Sequence, residues 1–483
     1  MSHSERTETG GRGGGTGALV VPQVRFSVHF ATALLLISLV TWAVVKLREM
    51  RRTRTSYLGR IALLKEKGEP LHPADLQSVL PQVETNRNME ALLARLYPGF
   101  RRATAESPLE PAWESVKPLE TGTEVPGGKD AAWVVLDREA RTNLAAVDAL
   151  LEVDLAGFAW PVTYGDGTNV LQWVASPWVA TKFAFCRALA VRALWEAENG
   201  HPERAAVALE RGFQMAAVAD VRSTMTGVFG FRCERLMLSA LEQCMNRTRW
   251  DVVSLRRVEK SLRREPSRAV EEALLVERAS YLAIGTLDPA LALKLPNPSG
   301  WDRALMRWGT WTRGYGSRWQ GLEYYSDLIE AARLPLRAGL IKSREIGDAM
   351  DADRRNPNQQ WRAVIDLDLW VDLNTRGRPH ILFPMNFDRR CGLAVASAAI
   401  GVECWRRTHA ERVPDSWYDL IPDQLVSIPL DPADNRPLRY DKIGASGYRV
   451  YSCGADLSDD GGVVDRSIPR MKAGCDVVLS VSE

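Results

Sequence analysis

The chain has 483 residues, of which 46% are apolar and 25% charged. This is globular composition, and it excludes wholesale disorder, collagen and a coiled-coil rod. Sixty-two Lys and Arg against sixty Asp and Glu leave a net charge of +2, so no global field marks a nucleic-acid binder and no nucleic-acid partner is expected. Seven cysteines are too few for a disulfide scaffold, and the odd number leaves at least one thiol unpaired within the chain.

Residues 1–25 are rich in Gly, Ser and Thr with almost nothing to bury, and are expected to form a disordered leader. Their GGRGGGTG run lacks the Lys-Ser/Thr and the preceding strand of a phosphate loop. Residues 26–47 are expected to span a membrane. Phe26 to Val45 contain no Asp, Glu, Lys or Arg, and at 1.5 Å per residue this run reaches about 30 Å, the thickness of a bilayer's hydrocarbon core. Trp42 suits an interfacial position. The run ends in Val44-Val45-Lys46-Leu47-Arg48, without the small-residue cleavage site of a signal peptide. The lipid bilayer is thus the first expected partner. The C-terminal flank carries Lys46, Arg48, Arg51, Arg52, Arg54 and Arg60 against Arg12 and Arg25 on the N-terminal side, and the positive-inside rule would place the large domain in the cytoplasm.

Residues 48–130 read as juxtamembrane helices and a loop region. Ser56–Lys67 is helix-like and ends at Gly68-Glu69-Pro70; Pro73-Ala74-Asp75-Leu76 restarts a short helix. Residues 131–360 read as a helical domain. A long apolar-periodic helix is expected over Trp178–Glu198, stopped by Asn199-Gly200-His201-Pro202, with a partner helix from Glu203 to about Ala219. Ala193, Trp195, Gly200, Ala205, Ala206 and Leu209 are spaced as in a tetratricopeptide hairpin, but no second copy follows at that period, which favours an ordinary helical hairpin. Further helices are expected around Phe231–Gln243, Val252–Leu262 and Ala269–Ile284. Residues 296–325 interleave Arg with aromatics (Trp301, Arg303, Arg307, Trp308, Trp311, Arg313, Arg318, Trp319, Tyr324, Tyr325). Without an RNA-binding motif or a basic charge, buried or interfacial aromatics explain the run better than base stacking.

Residues 361–483 form a different unit. Val364 to Leu373 alternates acidic and apolar residues, a strand period that puts Asp366, Asp368 and Asp372 on one face. A helix is expected over Cys391–His409, then a short helix between Pro414 and Pro422. A strand pair, Leu438–Lys442 and Tyr448–Cys453, turns at Gly444 to Gly447, and a last strand runs over Asp476–Val481. The expected fold class is therefore mainly α with a small α+β tail: an N-terminal transmembrane helix, a helical middle domain, and a C-terminal helix with an antiparallel β-sheet.

The tail resembles the C-terminal part of type II secretion pseudopilins, through Pro429, Asp431, Pro432, Pro437, Tyr440, Tyr451, Ser452, Gly454, Asp456, Gly461 and Gly462. It departs from that pattern at Ala433, where an aromatic is usual, and at Asn435, where Gly is usual; Asn tolerates the left-handed backbone such a turn requires. The whole chain is similar to a family of uncharacterised bacterial membrane-anchored proteins with one N-terminal span, through Leu64 to Leu71, Pro161 to Gly167 and the hairpin around Gly200. That family carries no established activity. The pseudopilin cleavage signal, a Gly followed five residues later by Glu, is absent: Pro22 stands five residues after Gly17. The resemblance implies calcium in the acidic loop, with Asp456, Asp459, Asp460 and Asp465 as hard oxygen ligands; a solvated Asp/Gly turn is the alternative. Calcium is scarce in cytosol, so this reading sets the large domain on the periplasmic face of a bacterial inner membrane, against the charge rule.

No catalytic residue can be nominated. The six histidines are scattered without H-E-x-x-H, no G-x-S-x-G is present, and no two cysteines form C-x-x-C. The expected role is a structural or protein-interaction module of the envelope, with envelope or secretion-system proteins as partners. The alternatives are an accessory of a secretion or pilus-like machine, or a membrane-tethered enzyme with its site near Asp166 or the Asp366–Asp372 segment.

Overall fold

A computed structural model describes residues 24–80, 87–97, 137–138, 141, 144–160, 178–218, 224–263, 268–284, 316–355, 379–463 and 476–482. The leader up to residue 23, the Tyr164-Gly165-Asp166-Gly167 turn, the Asp366–Asp372 segment and the aromatic residues Trp301, Trp308 and Trp311 lie outside the described residues.

The chain is mainly helical with a small antiparallel sheet, and its first element reaches farther than its apolar segment. Helix α1, Val24–Glu66, runs unbroken for 43 residues, so the expected span and the expected Ser56–Lys67 helix are one rod about 64 Å long. Its apolar part is covered by nothing among the described residues: Phe30, Leu35, Trp42 and Val45 are each about 60% exposed. Farther on, Leu64 is buried with Leu71, Leu282 and Leu322, while Tyr57 and Ile61 pack against them. Gly68, at φ +70, stops the helix: its N–H reaches Lys65 O at 3.0 Å and the Glu69 N–H reaches Leu64 O at 2.9 Å, the paired bonds of a Schellman cap.

After a 3-10 turn at Pro73–Asp75 come the short helices α2 (Leu76–Val79), α3 (Met89–Leu96) and α4 (Leu144–Leu151). Helices α5 (Trp178–Glu198) and α6 (Pro202–Ala217) form the expected hairpin. Gly200, at φ +75, makes the same Schellman pair with Ala197 and Glu196, and Pro202 opens α6 where no N–H is needed. Helices α7 (Thr224–Met245), α8 (Val252–Leu262) and α9 (Ala269–Ile284) follow; Asp251 caps α8 by accepting from the Ser254 N–H at 2.8 Å. Helix α10 (Gly316–Ala332) takes in the end of the aromatic-rich segment and buries Leu322, Tyr324 and Tyr325; α11 is Leu336–Arg355.

The tail helix α12, Leu382–Thr408, starts nine residues before the expected Cys391. Pro384 reads as a breaker, but it sits in the first turn, where helix N–H groups have no intrahelical acceptor. Its middle, Cys391 to Gly401, is rich in small residues that let neighbours come close. A Cβ on Gly392 would lie 2.8 Å from the Leu238 side chain of α7. Strands β1 (Arg439–Ile443), β2 (Gly447–Ser452) and β3 (Val477–Val481) form an antiparallel sheet in that order, with Tyr440 opposite Val450 and Val450 opposite Leu479.

The tail and the helices before it share a core. One apolar cluster joins Phe185, Phe213, Leu241 and Leu255 to Val395, Ala399, Tyr448 and Leu479. A second joins Leu274, Tyr325 and Leu328 to Phe383, Phe387 and Cys453. Polar contacts run the same way: Arg389 of α12 is paired with Glu234 of α7. The outer edge of β3 is met by the residue that follows α7, with Asn246 Nδ2 donating to Ser480 O at 2.9 Å and the Ser482 N–H donating to Asn246 Oδ1 at 2.8 Å. An exposed strand edge is thereby closed.

Candidate functional site in the tail

The site grows from one buried carboxylate. Asp431 is fully buried in the Pro429–Arg439 turn, where Leu438 N–H donates to Pro429 O at 2.9 Å and Asn435 N–H to Asp431 O at 2.8 Å. Closing that turn requires a left-handed residue, and Asn435 supplies it at φ 60. The Asp431 side chain then reaches the end of β2. Its Oδ1 accepts from Ser452 Oγ at 2.6 Å and from the Ala433 N–H at 2.8 Å; its Oδ2 accepts from the Cys453 N–H at 3.1 Å and from Arg439. Ala433 is itself buried.

Arg439 carries the positive charge of this cluster. Besides Asp431, its guanidinium donates to Asp434 Oδ2 at 2.7 Å and to Asp459 Oδ2 at 3.0 Å. Three carboxylates thus share one guanidinium. Of the expected metal ligands, Asp459 is therefore already paired, and its Oδ1 accepts from the Gly461 N–H at 3.1 Å. Asp456 Oδ1 accepts from the Ser458 N–H at 3.0 Å, and Asp460 is exposed. Asp465 lies outside the described residues. Among the described residues, no three His, Cys, Asp or Glu side chains converge as a metal-binding group.

Two further carboxylates hold the loop. Asp388 of α12 accepts from the Ala455 N–H at 2.8 Å. Asp476, at the start of the last strand, accepts from the Gly462 N–H at 2.6 Å and the Asp460 N–H at 3.2 Å through Oδ2. Its Oδ1 is buried and has no hydrogen-bond partner among the described residues. Burial pushes the Asp476 carboxyl up, and the nearby negative charges of Asp459 and Asp460 add to the rise. Arg439, Asp388 and Asp476 carry no local signal of this role in the sequence: Arg439 looks like an ordinary strand residue, and the two carboxylates lie outside the Asp/Gly run of the loop.

Elsewhere four histidines are engaged structurally. His72 Nδ1 caps the 3-10 turn by accepting from the Ala74 N–H, His201 lies 2.9 Å from Glu196, His380 pairs with Tyr324, and His409 stacks on Trp405. The described thiols are buried; burial pushes Cys244 up to about 12 and Cys404 to about 11, the reverse of what an activated nucleophile needs. The arrangement in the tail can hold a loop rigidly and present exposed acids. No family model, no curated protein and no solved structure matches the chain.

Proposed function

We propose that the chain is a single-span, membrane-tethered structural or interaction module of the bacterial envelope, its helical domain and pseudopilin-like tail held near the bilayer on the periplasmic side. The observation that carries the reading is α1: an apolar segment covered by no other described residue continues, without a break, into a segment packed on the domain. A soluble protein would leave that apolar surface in water at a cost of about 25 cal/mol per Å². The experiment is fractionation of full-length protein together with a reporter fused after Glu483. Recovery in the carbonate-resistant membrane pellet with an externally active reporter supports the reading. Recovery in the detergent-free supernatant removes the tether, and a cytoplasmically active reporter removes the periplasmic placement.

Calcium at the acidic loop is a second reading, favoured by the buried Asp476 Oδ1, which has no donor among the described residues. A divalent ion would satisfy that oxygen and neutralise Asp460 beside it. The fit is partial, since Arg439 already neutralises Asp459. Melting of the purified full chain with and without calcium tests it. A calcium-dependent rise lost in both Asp456→Ala and Asp476→Asn supports the site, and an unchanged transition removes it.

A further inference from the structure

Building on the reading of α1 as a membrane span, we propose that Arg48, Arg51 and Arg52 form a surface that binds the headgroup phosphates of anionic phospholipids. Its failure and the failure of the span are separable, as set out below. The apolar run ends at Val45. Three to seven residues farther along the helix is about 4.5 to 10 Å, which crosses the headgroup layer that adds roughly 5 to 8 Å to each side of a bilayer core. Side chains on a helix lean toward its N-terminus. Here that direction is toward the bilayer, so the long arginine stems reach back to the phosphate level.

The three arginines share one face, at i, i+3 and i+4. With 3.6 residues per turn, that face is opposite the stripe of Tyr57, Arg60, Ile61 and Leu64 by which α1 meets the domain. Docking therefore leaves the arginine face open. Arg48, Arg51 and Arg52 are exposed and make no ion pair among the described residues. Two other basic residues of the same helix are occupied: Lys46 pairs with Glu49 at 2.9 Å and Arg60 with Glu323 at 3.1 Å. A planar guanidinium engages phosphate oxygens in a bidentate fork that an ammonium cannot match. The surface would fix the depth at which the helix leaves the bilayer, and with it the height of the domain.

The test uses the full chain purified in non-ionic detergent, offered phosphatidylglycerol or phosphatidylcholine, with retained lipid counted by native mass spectrometry. Wild type is expected to retain phosphatidylglycerol preferentially. R48Q/R51Q/R52Q should lower that preference by about five-fold per arginine, with an unchanged helical spectrum; R48K/R51K/R52K should keep part of it. Equal retention of the two lipids by wild type overturns the proposal, as does a wild-type preference in the glutamine variant. Displacement by inorganic phosphate but not by sodium chloride at equal ionic strength also overturns it, since the arginines would then be reading a free anion. A chain found in the detergent-free supernatant sinks the span and this surface together, whereas an embedded chain indifferent to headgroup sinks this surface alone.

Discussion

Arg278 donates to the Glu69 carboxylate at 2.7 Å across 209 residues of chain. Arg278 is 1% exposed, and its Nη2 also donates to Pro70 O at 3.1 Å. Arg333 takes the other Glu69 oxygen at 2.6 Å. The residue that follows the cap of α1 is thus clamped by α9 and by the loop after α10.

Removing the carboxylate charge is expected to loosen that clamp. Glu69→Gln leaves a buried guanidinium without its counter-charge and should lower stability by about 3 kcal/mol, read as a fall in the melting temperature of the full chain in detergent. The pH dependence has a definite sign. Burial alone would raise the Glu69 carboxyl, but hydrogen bonds from Arg333 and Arg278 outweigh it and hold it below its ordinary 4.5. A depressed carboxylate contributes stability above its unfolded value and loses it as pH falls through the folded one. Wild-type stability should therefore decline from about pH 4.5 downward, and Glu69→Gln should lose that part of the slope.

At the tail, Asp431→Ala strands three buried donors, Ser452 Oγ and the Ala433 and Cys453 N–H groups, together with Arg439. The expected loss is about 3 kcal/mol or more, with early proteolytic cutting between residues 430 and 460. Unchanged protease resistance would remove Asp431 as the hub.

Asn435 separates backbone from side-chain effects. At φ 60 a glycine is at least as comfortable, so Asn435→Gly should melt within about 0.5 kcal/mol of wild type, while Asn435→Ala should cost about 1 kcal/mol. Equal behaviour of the two variants in denaturant titration would contradict a left-handed turn.

Asp476 behaves in the opposite sense to Glu69. Burial and the neighbouring acids raise its carboxyl above the ordinary 3.8, so the folded state holds the proton more tightly. Stability is then gained as pH falls through the raised value toward 3.8, and lost as pH rises through the same window. In calcium-free buffer at neutral pH, Asp476→Asn should stabilise by about 1 kcal/mol and flatten that dependence, as measured by melting across pH.

Much of the fold was legible because its signals are local. Val252–Leu262 and Ala269–Ile284 have the ends expected of them, since Asp251 caps one and the apolar period carries the other. Gly200-His201-Pro202 marked the hairpin for the same reason. Missed boundaries reflect tertiary context. The Leu382–Arg390 turns of α12 contain Pro384 and are held by Leu382, Phe383 and Phe387 in the core, and α7 begins at Thr224 through Gly227 and Gly230, residues that read as breakers in isolation. The acidic loop was visible as a motif, but its chemistry was not. Which carboxylate meets Arg439 and which donors reach Asp476 depends on residues brought together across 5 to 20 positions, and no periodicity reports that.

The unbroken course of α1 has a mechanical consequence. With no hinge between Phe30 and Gly68 and a packed joint at its far end, the helix acts as a lever fixed to its load. A tilt of ten degrees along its length of about 64 Å displaces the far end by roughly 11 Å. Bilayer thickness and lateral contacts within the lipid would in this way set where the domain stands and which way it faces.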